Sequence, residues 1–223
     1  MSREALLDHM DADVGWRRVE LSALRGGLAK AQGNAVDTAS RTAVALSYAH
    51  WEGYVVAASR TLVTYVAGLQ LNYGQLTDNY VALCLAGKLL DAESSVRRVQ
   101  RHVDVISEIR LSEKATFPHP EKTIHAEGNL KSDKFKDIVL RLGLDQSPFE
   151  LHLNWIDREL LKRRNTIAHG DSARADPAFA SEALSTVDAL LGHFRTAVQN
   201  AAATEVWLAP GPRDRLTRSR PRP

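Results

Sequence analysis

Between Arg163 and Gly170 the chain reads Arg163-Arg164-Asn165-Thr166-Ile167-Ala168-His169-Gly170. A permanent cation, an amide and an imidazole stand within six residues. The planar guanidinium fork matches phosphate oxygens, and it stays charged at every working pH. Imidazole is the side chain best suited to move protons near neutrality. Together they suffice, in type, to break a phosphodiester without a metal: one group stabilises the charged transition state and the other shuttles the proton.

An apolar helical segment must position these groups. With Ile156 at zero and about 100° per residue, Leu153, Ile156, Leu160 and Ile167 span roughly 0–60°. Asn165 and His169, four apart, fall near the opposite side, with Arg164 at the edge and Arg163 inside the apolar stripe. An outward-facing Asn165 and His169 need a wall to make a cleft. A second copy of the chain on a two-fold axis would supply it. Gly170 also reads as a helix stop, which gives His169 a plain structural role as well.

Glu52 sits mid-way along the most apolar helix, where an unpaired carboxylate is costly. Arg163, in the apolar stripe of the motif helix, is equally misplaced. The economical expectation is that the two helices pack and these charges meet, with Arg164 joining.

Other blocks carry a family signal. Ala49-His50-Trp51-Glu52-Gly53-Tyr54 lies in the second helix, Glu127-Gly128-Asn129-Leu130 precedes a short helix ending Leu142-Gly143-Leu144, and Leu160-Leu161-Lys162-Arg163-Arg164-Asn165 runs into Ile167-Ala168-His169-Gly170. In this order they resemble the HEPN superfamily of small all-helical domains, and its RiboL-PSP-type branch in particular. The resemblance runs from about Leu24 to about Phe194. It implies a bundle of four to five main helices with additional short ones. It also implies a homodimer and metal-independent RNA cleavage by an Arg-x4–6-His pair, here Arg164 and His169 with Asn165 beside them. Roles in toxin–antitoxin or phage-defence systems, with a cognate antitoxin, are common among such proteins. Others are non-catalytic modules that bind RNA, a nucleotide or a protein. The implied reaction is attack of the RNA 2′-OH on its neighbouring phosphorus, leaving a 2′,3′-cyclic phosphate.

Composition is that of a globular domain, 44% hydrophobic and 25% charged. The net charge of +2 is misleading. From Arg213 to Arg222 five arginines face one aspartate, so that stretch carries +4 and the rest of the chain −2. Global charge therefore does not point to nucleic acid. We expect one domain over residues 1–208 and a disordered Arg/Pro-rich tail over 209–223, either an RNA tether or a solvated end. Lys122, Lys131, Lys134 and Lys136 surround the Gly128 loop, either steering RNA or forming a solvated face.

The lone Cys84 reads as core packing in a reducing compartment. No apolar run is long enough for a membrane span, and Met1-Ser2-Arg3-Glu4 carries no signal-peptide core, so a cytoplasmic location is expected. His102, His119, His125 and His152 lack metal-ligand spacing, and neither metal nor cofactor is expected.

Periodicity predicts only helices. The first carries Leu7, Met10, Val14, Leu21, Leu24, Leu28 and Ala31, with Arg17 filling a gap. The second runs from about Asp37 to Leu71. A third follows the N-cap Thr77 to Leu90, and a fourth carries Val96, Val99, Val103, Ile106 and Ile109 opposite Arg97, Arg98, Arg101 and His102. A loop from Ser112 to about Ser132, a short helix ending at Gly143, the motif helix and a last helix from Asp176-Pro177 to about Asn200 complete the chain.

Overall fold

The structure is a computed structural model, and it describes residues 1–94, 98–126, 128–172 and 174–210. It is all-α. The helices are α1 (Arg3–Lys30), α2 (Ala35–Gly68), α3 (Asp78–Ser94), α4 (Arg98–Leu111), α5 (Pro120–Thr123), α6 (Ser132–Arg141), α7 (Glu150–Trp155), α8 (Lys162–Ala168) and α9 (Pro177–Thr204). A π-helical turn, Ile156–Leu161, joins α7 to α8. Local chemistry sets the ends. The Ser2 side chain accepts from Ala5 N–H to start α1, and Asp176 caps Ala178 N–H ahead of Pro177 to start α9.

Helices α1, α2 and α9 form the centre, with α2 packed against both others. Burial of Trp51, Phe135, Phe149 and Phe194 joins α6 and the motif segment to them. Trp51 and Phe135 stand 5.1 Å apart by ring centroid, and Phe135 and Phe149 4.9 Å. Ion pairs clamp α1 to α9: Arg195 grips Asp11 with two nitrogens, and Arg18 meets Asp188 at 2.8 Å.

Arg17 fills the gap in the α1 stripe and is itself buried. It pairs with Asp13 at 3.2 Å and lies 4.5 Å from the Trp16 ring centroid. Across from it stands Gly53, where an added Cβ would meet Arg17 Nη1 at 2.9 Å. The glycine of the His50–Tyr54 block is thus the place where α2 admits a guanidinium.

The apolar face of α4 is not buried: Val99, Val103 and Ile106 are 77%, 46% and 48% exposed, and Val105 is the residue that turns inward. Val96 and Arg97 lie outside the described residues. Glu108 of α4 meets Lys88 of α3 at 2.6 Å and accepts from Tyr73 Oη, ahead of α3, at 3.1 Å. At the C-terminal end, Trp207 is buried against Tyr65, and the Ala209 N–H donates to the Gln75 carbonyl. The described chain thus continues through Pro210, into the segment expected to be tail. Residues 211–223 lie outside the described residues. No described helix is long and apolar enough to cross a membrane.

Candidate active site

The π turn decides how the motif is presented. It fits one extra residue into the helix, so every later side chain takes the angular place its predecessor would have had. Leu160 and Leu161 are both buried in consequence. Arg164 takes the inward place that a regular helix gives Arg163.

The expected pairing of Glu52 with Arg163 is therefore corrected. Arg163 is turned outward. It pairs with Glu159 one turn back, at 3.1 Å, and lies 4.2 Å from the ring centroid of Phe179. Glu52 instead accepts the Tyr48 hydroxyl at 2.7 Å and the Leu130 N–H at 2.9 Å. Arg164 joins this group through the aromatic ring, its guanidinium carbon 4.5 Å from the Tyr48 centroid. Burial, and then the bond to Glu52, push the Tyr48 hydroxyl well above its ordinary pKa, so it stays protonated and donates. Its oxygen also accepts the Leu130 N–H, at 2.6 Å.

Arg164 Nη1 donates to Asn129 Oδ1 at 3.0 Å and Asn165 Oδ1 at 2.9 Å. Both hydrogens of that nitrogen are thereby used. Its Nε and Nη2 edge, the bidentate edge for an oxyanion, makes no hydrogen bond to a described residue. The Asn165 amide thus holds Arg164, not the His169 ring. The helix bearing Arg164 is anchored once more upstream, where Asp157 accepts from Ser132 N–H at 2.8 Å and from its hydroxyl at 2.5 Å.

His169 ends α8. Its N–H donates to the Asn165 carbonyl, that of Gly170 to Ile167 and that of Asp171 to Thr166. Gly170 has φ +80°, the left-handed residue such a helix end needs. The following loop is tied back to α2: Arg41 Nη1 donates to the Asp171 carbonyl at 2.8 Å, and Asp37 accepts from Ala175 N–H at 2.9 Å. The imidazole is exposed and makes no hydrogen bond to a described residue.

Arg164, Asn165, Asn129, Tyr48 and Glu52 thus form one connected group, with His169 five residues along the same segment. Sequence reasoning assigned no role to Tyr48, Asn129 or Arg41. The i,i+4 spacing of Tyr48 and Glu52 was the one local signal. The three blocks of the resemblance, distant in sequence, meet here: Glu52 from the first, Asn129 and Leu130 from the second, Arg164 and Asn165 from the third. The profile of the RiboL-PSP-HEPN family matches residues 12–198. The chain belongs to the RiboL-PSP-HEPN family. Comparison with curated proteins and with solved structures gives no match. In this HEPN domain the Arg-to-His segment is split between a helix turned inward at Arg164 and a helix end left open at His169.

Proposed function

We propose that this HEPN domain is a metal-independent endoribonuclease of the toxin or phage-defence kind, acting in the cytoplasm. The observation that carries the reading is Arg164. Asn129, Asn165 and Tyr48 fix its guanidinium while the Nε and Nη2 edge stays open. Holding a cation this firmly with a free bidentate edge suits an oxyanion whose charge grows in the transition state. HEPN domains are often RNases, which adds to the argument.

In the proposed reaction the 2′-OH of one nucleotide attacks its own 3′-phosphorus, and the P–O5′ bond breaks. The products are a 2′,3′-cyclic phosphate and a 5′-OH. His169 removes the 2′ proton or delivers one to the leaving oxygen. Asn165 positions Arg164. Two protomers facing across a two-fold axis would bring two His169 side chains together, one as base and one as acid. The whole segment 1–208 acts as a single domain in this reading.

The second reading, a non-catalytic module binding RNA, a nucleotide or a protein partner such as an antitoxin, is favoured by one observation. Nothing described in the single chain orients the His169 ring. Incubation of purified protein with RNA in EDTA separates the two. Cyclic-phosphate ends that disappear with His169→Ala support the enzyme; intact RNA at micromolar protein supports the module.

A further inference from the structure

Arg164 and Asn165 occupy one side of α8. A second side, with Lys162, Arg163 and Ile167, lines a cavity of about 370 Å³ against Phe179 of α9 and the 174–176 loop. This volume lies within the ordinary range for small-ligand sites. Arg158, Lys162 and Arg174 line it and are exposed, and their side chains form no hydrogen bond or ion pair with a described residue. The two carboxylates of the same lining are already engaged. Glu159 holds Arg163, and Asp176 caps α9 through Ala178 N–H at 2.9 Å. Three cations that form no ion pair with a described residue, against the single unpaired carboxylate of Asp176, therefore leave this hollow with a net positive charge in a body whose overall charge is not basic.

Arg163 adds a flat surface. Phe179, only 7% exposed, supports one face of its guanidinium, and Glu159 fixes it in plane. Its side chain remains 43% exposed. A guanidinium plane backed by an aromatic ring is a stacking platform for a nucleobase.

We propose that this cavity binds a phosphorylated nucleotide unit. Arg158, Lys162 and Arg174 take the phosphate oxygens and Arg163 takes the base. Two sources offer that chemistry: a nucleotide of the RNA flanking the cut, or a free nucleotide. The first source rests on the ribonuclease reading; the second does not.

The test measures binding of a fluorescent 2′-O-methyl RNA decamer, which cannot react through its 2′ position, and of 5′-AMP, to the full chain. Wild type is compared with Lys162→Ala/Arg174→Ala and with Arg163→Ala. These side chains are outside the core, so unchanged melting temperatures serve as the folding control. For the decamer, the double variant is expected to weaken binding about tenfold or more. It should also flatten the log–log salt dependence by about two. Arg163→Ala is expected to weaken binding without that full change in slope. If the double variant loses AMP while decamer affinity holds, the free nucleotide is the ligand. If neither ligand binds wild type, or neither affinity changes in the double variant, the site is overturned. Binding that persists in a protein that cleaves no unmodified RNA would sink the ribonuclease reading and leave this cavity standing.

Discussion

Arg163 and Arg164 are neighbours in the chain that stack on different rings, Phe179 of α9 at 4.2 Å and Tyr48 of α2 at 4.5 Å. The π turn ahead of them separates their roles. Arg164→Ala should lower kcat for RNA cleavage about a hundredfold, the scale of a positioned electrostatic group. Arg163→Ala should leave kcat within a few-fold and act on KM. Steady-state kinetics on a short RNA checks the contrast, and equal kcat losses would mean that the two arginines share one function.

His169→Ala should likewise cost about a hundredfold or more in cleavage. EDTA should leave wild-type activity unchanged. Expression of wild type in bacteria should arrest growth, and the His169→Ala chain should not. A wild type silenced by EDTA would contradict the metal-independent mechanism.

Glu52 faces a hydroxyl and an N–H, not an arginine. Glu52→Gln retains an acceptor for both, so it should cost about 1 kcal/mol and not the larger penalty of a broken buried ion pair. That corresponds to a fall of roughly 2–4 °C in Tm for a chain of this size. Tyr48→Phe should be of similar size in stability. Calorimetric melts decide this, and a loss of 10 °C for Glu52→Gln would show that a charge partner had been removed.

His50 is buried between α1 and α2, 2.9 Å from Glu20, with Arg17 and Asp13 close by. Burial lowers its pKa, against the pull of Glu20. The unfolded chain therefore protonates first, near 6.5. The stability contributed by neutral His50 is present above that pH and is lost as pH falls below it toward the depressed folded value. Urea midpoints at pH 7.5 and 5.5 should converge more for His50→Gln than for wild type. Parallel losses in the two proteins would remove His50 as the source.

Burial pushes the Cys84 thiol up to about 12. Native protein should resist a thiol-specific disulfide reagent at pH 8 and react fully in denaturant. Rapid native labelling would place Cys84 at the surface.

Helix identity was legible because apolar residues recur at helical spacing, and family resemblance singled out the three blocks without showing that they meet. The aim of the motif was not. A helical wheel advances every residue equally, and nothing in Ile156-Asp157-Arg158-Glu159-Leu160-Leu161 announces an extra residue, so Arg163 and Arg164 exchanged places. The α4 stripe left its burial open for another reason. Periodicity reports that a face is apolar, and Val99 and Val103 show that such a face can stay open in one chain. Tyr48 escaped notice because its partners, Asn129-Leu130 and Arg164, come from far along the sequence.

Asp37, Arg41, Tyr48 and Glu52 recur along α2 at offsets of four, seven and four, within ~60° of one another on the helix. This row holds α8 and its loop at both ends, while α8 itself contributes no buried residue. The motif thus borrows its order from α2 through a handful of hydrogen bonds. Melting of such a segment is sub-global. The proposed activity should fail on heating several degrees before the α1–α2–α9 centre unfolds, so that the inactivation temperature and the calorimetric Tm are two separate properties of one chain.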